Sequence, residues 1–304
     1  MSKFEYLIIA GANKAGTTSL FDYLSMHPQI DESYIKQTFF FLDREWQEKL
    51  NLKAIYDYRS GFEMFNNYYR NNACKLKLEA SPEYLYAPET PKRLHDFFKN
   101  NKGKIIFILR EPTSRFNSLF YFGKQQGLIP ESMSYSRFYD ISLNYKEDSN
   151  PCLMAHKTGY YFNYLKRYFD IFGKENIIVL FFENMKRNPQ DFMLSLSAKL
   201  NIDNSFYKDF NFEIKNQTMR VKSHVVSSLY EVARAWYMKH LFKHQAGISF
   251  VQLLKKNFIP LYKKMNYMPL VKTSLDPAII AKLRSDYSEE KHRLKLLLHE
   301  DIPW

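Results

Sequence analysis

Two segments of the sequence carry side chains suited to holding a phosphate-like anion. The first, residues 11–18, reads G-A-N-K-A-G-T-T and combines two glycines with one lysine and two hydroxyls. Glycines let backbone amides converge on an anion, and a helix that follows adds partial positive charge. The nucleotide P-loop places its lysine directly after the second glycine, followed by Ser or Thr for magnesium. Here Lys14 precedes Gly16, which disfavours a magnesium-dependent ATPase.

The second segment begins at Arg110, directly after the apolar run 104–109, and continues to Ser118. Ligands of open α/β sheets bind at the carboxyl ends of the strands, where Arg110 would emerge. A guanidinium and a hydroxyl together make a good phosphate clamp, and Ser118 would lie about two helical turns away or less. Taken alone, an arginine after a strand is more often the partner in a surface salt bridge.

The apolar pattern around these segments predicts an α/β fold. Buried parallel strands are predicted at residues 7–11, 104–109 and 177–182, with a helix over 17–27. Alternation of buried strands with helices favours a P-loop-like, doubly wound parallel sheet flanked by helices. The later part is mainly helical, with helices predicted at 227–244, 248–257 and 276–298. We therefore expect one domain over 1–304, with its core within about 1–200 and a helical C-terminal cover over about 205–304.

Composition excludes several classes of protein. The chain has 304 residues, of which 45% are hydrophobic and 25% charged. This balance is ordinary for a soluble globular protein and rules out a disordered tail, a collagen-like repeat or a disulfide-stapled mini-domain. The formal net charge of +12 and the 17% of aromatic residues favour anionic partners, such as nucleotides, acidic glycans or anionic membranes.

Cysteine content and hydropathy predict a cytoplasmic protein. Cys74 and Cys152 are the two cysteines, and two thiols in so long a chain favour free thiols in a reducing compartment over a disulfide. No apolar run approaches the length of a membrane span, and the first residues lack the pattern of a signal peptide. Residues 237–243 and 255–264 mix lysines with aromatic side chains, which fits either peripheral contact with a membrane surface or a solvated helical cover.

His240 and His244 have the spacing of paired metal ligands on a helix. Lys239 and Lys243 stand beside them and would oppose a cation. A solvated basic face is the favoured interpretation, and no metal is expected.

Together, these motifs resemble the sulfotransferases that use 3′-phosphoadenosine 5′-phosphosulfate (PAPS). The 5′-phosphosulfate loop of that family, G-x-x-K-x-G-T-T before a helix that ends near H-P, is similar to residues 11–28. The 3′-phosphate motif, L-R-x-P-x-x-R-x-x-S-x-Y, is similar to residues 109–121. Residues 79–85 resemble the E-x-S-P-x-Y-L segment of bacterial and heparan-type members. Weaker similarities extend to the last helix and Trp304, so the resemblance covers nearly the whole chain.

The resemblance implies transfer of a sulfuryl group from PAPS to a hydroxyl of a carbohydrate or glycolipid, without metal and without nucleic acid as a partner. Lys14 would touch the bridging and sulfuryl oxygens. The rest of the loop would hold the 5′-phosphate, through Gly11, Asn13, Ala15, Gly16, Thr17 and Thr18. Arg110 and Ser118 would hold the 3′-phosphate, and Arg220 belongs to a late segment that would close over the nucleotide.

One position departs from the family pattern. Carbohydrate sulfotransferases of this type often carry K-E-x-x-F-F after the first helix, with Glu as general base, whereas this chain has Lys36 followed by Gln37. A glutamine amide cannot usefully accept a proton at neutral pH. We expect Lys36, Gln37 and Glu83 on the acceptor side of the site. Glu79 is the nearest substitute for the base, and Glu83 and His27 are weaker candidates.

Two other classes of protein stay open at this level. A noncatalytic nucleotide- or glycan-binding protein is favoured by Gln37 alone. A P-loop kinase-like phosphotransferase would share the strand, loop and helix, but the displaced Lys14 argues against it.

Overall fold

The computed structural model of the protein describes residues 5–52, 54–70, 74–146, 150, 152–212, 219–221, 226, 265–269 and 275–304. The chain divides into two compact units. One is formed by Met1–Phe120, Met133–Lys215 and Leu275–Trp304, and the other by Tyr121–Ser132 and Asn216–Ser274. The single domain expected over residues 1–304 stays a prediction.

A five-stranded parallel sheet forms the centre of the first unit. Its strands are Glu5–Gly11 (β1), Ile30–Glu32 (β2), Leu76–Ala80 (β3), Lys102–Leu109 (β4) and Ile177–Phe181 (β5), in the order β2-β3-β1-β4-β5. All neighbouring pairs are parallel, so the carboxyl ends of the strands meet at one edge of the sheet. The three predicted strands are confirmed as β1, β4 and β5, although Phe182 belongs to the following helix.

Strands β2 and β3 do not show in the sequence as apolar runs. β3 reads L-K-L-E-A, and its two charged residues, Lys77 and Glu79, are both buried. Each has a polar partner, since Lys77 Nζ donates to Asn66 Oδ1 at 3.0 Å and Glu79 accepts from Thr38 Oγ1 at 3.0 Å. Such hydrogen bonds offset the cost of burying polar groups, so a strand with charged residues can still run through the core.

Helices flank and follow the strands. The described α-helices are Thr17–Ser25 (α1), Arg44–Lys49 (α2), Thr90–Phe98 (α3), Pro112–Gln125 (α4), Tyr135–Asn144 (α5), Tyr161–Phe172 (α6), Phe182–Arg187 (α7), Pro189–Leu200 (α8), Pro277–Asp286 (α9) and Ser288–Leu298 (α10). The helix predicted over 276–298 is in fact two helices, α9 and α10. They break at Tyr287, whose buried hydroxyl donates to His156 O at 2.8 Å. The helices predicted over 227–244 and 248–257 lie outside the described residues.

Helices pack on both faces of the sheet, as predicted for a doubly wound fold. One face packs against α1 and α8 in an apolar cluster that includes Leu20 and Leu196. On the other face, Phe97 of α3 lies 4.9 Å from the Tyr6 ring of β1, and Tyr168 of α6 lies 4.8 Å from a β4 phenylalanine. Burial on both faces explains the continuous apolar runs of β1 and β4. The predicted α/β class is confirmed.

Aromatic side chains on this second face anchor the segment that follows β2. Phe40 and Phe41 are both 0% exposed, and each ring lies 4.9 Å from the Phe65 ring. The segment just before them is held against the end of β3, where Ala80 N donates to Lys36 O at 3.2 Å. The packing of three phenylalanines therefore places Lys36 at the carboxyl edge of the sheet.

In the second unit, the structure describes an antiparallel pair of short strands, Met219–Val221 (β6) and Tyr267–Pro269 (β7). Arg220 pairs with Met268 in this ribbon, and its side chain is outside the described part of the molecule. Across the described ranges, no helix combines the length and apolar character needed to cross a membrane.

Candidate active site

The loop between β1 and α1 brings backbone and side-chain groups of the first motif together. Gly16 has a φ of +94°, and a Cβ atom on it would lie 2.7 Å from Met185 Cε and 2.7 Å from Phe182 Cδ2. Glycine satisfies both the left-handed conformation and this close approach. Leu20 N donates to Gly16 O at 3.0 Å, which begins the hydrogen bonding of α1. Because the first amides of a helix have no acceptor within it, this end of α1 suits an anion.

Lys14 stands inside the loop with a φ of +60°. This left-handed conformation is uncommon for lysine, and such residues cluster at functional sites. The pKa of the Lys14 ammonium is lowered to about 8, chiefly by burial and also by the neighbouring charges of Arg110 and Lys36, against an opposing effect of Cys152. A bound anion would relieve both the desolvation and the repulsion between these cations.

Arg110 emerges at the carboxyl end of β4 and reaches the loop. Its Nη1 donates to Lys14 O at 3.3 Å, and its guanidinium carbon lies 4.8 Å from the centroid of the Phe182 ring. The Tyr161 hydroxyl donates to Arg110 O at 2.8 Å. Burial lowers the pKa of Arg110, although Glu183 opposes this effect. The structure therefore joins the two predicted anion-binding segments through a direct hydrogen bond.

Ser118 lies on α4, about two helical turns beyond Arg110, and is half-buried. Among the described residues, no hydrogen bond joins its hydroxyl to Arg110 or to the loop. Its assignment to the 3′-phosphate stays a prediction.

Lys36 is a further cation at this edge. Its Nζ donates to Thr18 Oγ1 in the first turn of α1. Burial lowers the pKa of Lys36 to about 8, while acidic neighbours raise it. Gln37, the next residue, is exposed. Lys14, Lys36 and Arg110 therefore gather around one loop.

Glu79 lies at the end of β3 and is 0% exposed. Its Oε1 accepts hydrogen bonds from Thr38 N at 3.2 Å, from Thr38 Oγ1 at 3.0 Å and from Ser81 Oγ. Its Oε2 is buried and has no hydrogen-bond partner within the described residues. Burial raises the pKa of Glu79 to about 8, against these hydrogen bonds. A carboxyl group with a pKa near neutrality, set beside a cationic site, is typical of proton-transfer groups.

Glu83 belongs to the 3-10 helix Pro82–Leu85 that follows β3. Its Oε2 is also buried without a partner in the described part of the chain. Burial raises the pKa of Glu83, whereas the charge of Lys36 lowers it. Glu79, Glu83 and Lys36 therefore form a group whose charges depend on one another.

His27, a weaker candidate for the base, is occupied by structural contacts. It is 1% exposed, its Nε2 lies 2.8 Å from Asp203 O, and its Nδ1 accepts from Gln29 N at 3.1 Å. Both ring nitrogens are therefore used to hold the chain that follows α1.

Arg115 is a residue of the second motif to which the sequence pattern assigns no role. It is 0% exposed, and its guanidinium donates to both the backbone and the side chain of Asn13 in the loop. The sequence signal that could have identified Arg115 is its position one helical turn before Ser118 in the same motif.

Other predicted features are only partly within reach of the structure. His240 and His244 lie outside the described residues, and elsewhere in the described ranges no three His, Cys, Asp or Glu side chains gather as a metal site. Cys74 and Cys152 are free thiols, as predicted.

The sheet and site together define an α/β protein with a cation-lined loop at the carboxyl edge of parallel strands. The sequence profile of the sulfotransferase domain matches residues 5–290. The chain belongs to the sulfotransferase family, which confirms the resemblance drawn from its motifs.

Named relatives support this membership. The bifunctional heparan sulfate N-deacetylase/N-sulfotransferase 1 of Mus musculus is 24% identical over 225 residues, which cover 70% of this chain and 24% of that protein. The membrane-associated sulfotransferase kil1 of Dictyostelium discoideum is 34% identical over 118 residues, which cover 39% of this chain and 23% of that protein. The chain thus spans about a quarter of the length of these relatives.

A solved structure shows the shared fold. The sulfotransferase from Alicyclobacillus acidocaldarius superimposes with a TM-score of 0.67 at 22% identity, over 99% of this chain and 98% of that one.

Proposed function

We propose that this protein transfers a sulfuryl group from PAPS to a hydroxyl of a carbohydrate or glycolipid. The observation that carries the proposal is the gathering of Lys14, Lys36 and Arg110 around one glycine-containing loop. The pKa values of both lysines are lowered to about 8 by burial. Buried cations grouped in this way are stabilised by an anionic ligand, and the 5′-phosphosulfate of PAPS supplies that charge.

The proposed roles of individual residues are those that the family resemblance implies. Lys14 contacts the bridging and sulfuryl oxygens, and Arg110 with Ser118 holds the 3′-phosphate. Arg220 is assigned to the nucleotide by the resemblance alone. The 5′-phosphate is held by backbone amides and side chains of the loop and the first turn of α1, namely those of Gly11, Asn13, Ala15, Gly16, Thr17 and Thr18.

The reaction is an in-line displacement at sulfur. The acceptor oxygen forms a bond to sulfur while the bond from sulfur to the bridging oxygen breaks. The electron pair stays on the departing 3′-phosphoadenosine 5′-phosphate (PAP), and the acceptor proton passes to a base. Because charge builds on the bridging oxygen, Lys14 acts by stabilising that charge, and the loop acts by orienting the donor. No metal is required for these steps.

Glu79 is the proposed base, since Gln37 stands where the family often has Glu. Its Oε2 is unengaged within the described residues, and its Oε1 is fixed by Thr38, the residue after Gln37. The proton can reach Glu79 directly or through one water. Lys36, Gln37 and Glu83 line the acceptor side, and Lys36 and Glu83 tune the charge there.

The acceptor class is tested with radiolabelled PAPS and a panel of acceptors. The name of the mouse relative specifies heparan sulfate and N-sulfation, so the panel contains N-acetylated glycans, free-amine glycans and glycolipids. Labelling of N-acetylated glycans or glycolipids supports a hydroxyl acceptor. Labelling of free-amine glycans alone would change the acceptor to an amine. Binding of PAP without any transfer would favour a noncatalytic protein.

A kinase-like phosphotransferase is tested in the same format with γ-labelled ATP and magnesium. Label transfer from ATP and none from PAPS would overturn the proposed donor.

Peripheral membrane contact and a cytoplasmic location are part of the proposal and rest on composition. Residues 237–243 and 255–264 lie outside the described part of the chain. Co-sedimentation with anionic but not with neutral vesicles would support the contact.

A further inference from the structure

Arg115 is a buried cation without an acidic neighbour to balance it. It lies on α4, is 0% exposed, and has no ion pair with a carboxylate within the described residues. A buried charge that no carboxylate balances lowers the stability of the fold, so its presence indicates a role other than stabilisation. The contacts of its guanidinium indicate that role.

Two of the four hydrogen bonds that the Arg115 guanidinium makes to described residues go to Asn13 in the loop. Arg115 Nε donates to Asn13 O at 2.9 Å, and Nη2 donates to Asn13 Oδ1 at 2.6 Å. The same Nη2 also contacts the Tyr86 hydroxyl and Thr158 Oγ1, each at 2.9 Å. The Tyr86 hydroxyl in turn donates to Asn13 Oδ1 at 3.3 Å. The guanidinium thus binds both the backbone carbonyl and the side-chain carbonyl of Asn13.

The surroundings keep the positive charge without neutralising it. The guanidinium carbon lies 5.7 Å from the Tyr86 ring and 5.8 Å from the Tyr161 ring, so aromatic faces replace a counter-ion. Nη1 is buried and lacks a hydrogen-bond partner among the described residues. Since the dielectric response inside a protein is weak, such a charge acts on an anion in the neighbouring loop.

We propose that Arg115 is a positioning residue of the nucleotide site, which orients the loop through Asn13 and adds positive potential without touching the nucleotide. Asn13 directly precedes Lys14. Fixing the backbone carbonyl and the side chain of Asn13 therefore sets the orientation of Lys14 and of the backbone amides that follow it. The inference rests on the proposed function, because the nucleotide it names is PAPS or its product PAP.

The test is a cycle of PAP titrations by calorimetry on wild type, Asn13→Ala, Arg115→Lys and the double variant. Lysine keeps the positive charge but lacks the planar guanidinium that donates from Nε and Nη2 at once. We expect each single variant to bind PAP about tenfold more weakly, as for loss of a charge-assisted hydrogen bond. We expect the double variant to lose less affinity than the sum of the two single losses, because Asn13→Ala removes Oδ1, an acceptor of the guanidinium that Arg115→Lys also removes.

Arg167→Lys is the matched control. Arg167 lies on α6, donates to Leu85 O at 3.1 Å and Tyr86 O at 3.2 Å, and packs 5.3 Å from the Tyr164 ring. It resembles Arg115 in its contacts with carbonyls and an aromatic ring, but it does not contact Asn13. Arg167→Lys is expected to lower the melting temperature and to leave PAP affinity unchanged.

Several results would overturn the inference. A folded Arg115→Lys protein with wild-type PAP affinity would show that Arg115 only stabilises the fold, and additive losses in the double variant would show that it does not act through Asn13. If Arg115→Lys fails to fold, Thr158→Val decides, because Thr158 contacts Arg115 and not the loop, whereas Asn13 is itself proposed to hold the 5′-phosphate. Unchanged PAP affinity in Thr158→Val would reject the inference.

Failure of the proposed function has a different signature. If the wild type neither binds PAP nor transfers sulfate, both the proposed function and this inference fall. If the wild type does both and the cycle is additive, the inference alone falls.

Discussion

The proposed nucleotide half of the site, around Lys14 and Arg110, and the proposed acceptor half, around Gln37 and Glu79, are built differently. The nucleotide half is held by backbone geometry, with left-handed residues at Lys14 and Gly16 and a hydrogen bond from Arg110 to Lys14 O. The proposed acceptor half depends on contacts between side chains, such as those of Glu79 with Thr38 and Ser81. Glu79 and Lys36 there, and Lys14 in the nucleotide half, all have a pKa of about 8, so their charges change within the same pH range.

This difference bears on which substitutions the site can accept. In the proposed nucleotide half, the loop leaves no room for a side chain at position 16, because a Cβ on Gly16 would meet Met185 and Phe182. In the acceptor half, Gln37 departs from the family pattern, and neighbouring carboxyls are present that can take over its proton chemistry. We infer that the nucleotide half sets whether the protein binds PAPS, that the acceptor half sets on which acceptor it works, and that both halves contribute to its pH dependence.

The largest expected effect is that of Lys14→Ala on turnover. Removing a cation aimed at developing charge lowers the rate by about 10³-fold, while the fold remains. Sulfate transfer from radiolabelled PAPS measures the effect. Lys166→Ala is the control, because Lys166 is exposed and pairs with Asp170 on the same helix. Near-normal turnover by a folded Lys14→Ala protein would remove Lys14 from the chemistry.

Glu79→Gln is expected to lower turnover by about 10²-fold, the usual contribution of a general base. The substitution keeps the acceptor oxygen that Thr38 and Ser81 contact, so nucleotide affinity is expected to stay the same. Calorimetry with PAP checks that affinity, and Gln37→Ala is expected to lose far less rate. If Gln37→Glu raises turnover by orders of magnitude and Glu79→Gln changes nothing, the base belongs at position 37.

Arg110→Ala is expected to erase most of the preference for the 3′,5′-bisphosphate over the 5′-monophosphate. A charged hydrogen bond contributes about 1.5–3 kcal/mol, so the preference lost is about tenfold or more. Titration of both nucleotides measures it. Arg293→Ala serves as control, because Arg293 packs 4.1 Å from the Phe162 ring and donates to Asn163, away from the loop. Equal affinity of the wild type for both nucleotides would contradict the 3′-phosphate clamp.

The pH dependence is the smallest predicted effect. Glu79 must be ionised to act as a base, so kcat/KM rises with pH up to its pKa of about 8. Lys14 must be protonated to stabilise charge, so kcat/KM falls as pH rises above its pKa of about 8. The result is a narrow bell near pH 8. Bound PAPS raises the pKa of Lys14, so the alkaline limb of kcat lies at higher pH. Glu79→Gln is expected to remove the acidic limb, and an unchanged limb would assign it to another group.

Much of the fold could be predicted from the sequence. The elements that could not be predicted, β3 and the break between α9 and α10, have physical explanations. β1 and β4 show as apolar runs because both of their faces are buried. β3 does not, because Lys77 and Glu79 are buried with polar partners supplied by distant segments. The break between α9 and α10 depends on a hydrogen bond from Tyr287 to His156, more than a hundred residues earlier.

The residues of the loop and of the Arg110 motif were identifiable because their chemistry is local: glycines, a lysine and hydroxyls lie within two turns of one helix start. Tertiary structure alone decided the burial that brings Lys14, Lys36 and Glu79 to a pKa of about 8. It also decided that Arg115 forms hydrogen bonds with Asn13, which lies about a hundred residues earlier in the chain. A short pattern specifies which groups are available, whereas desolvation and partner choice arise only when remote segments pack together.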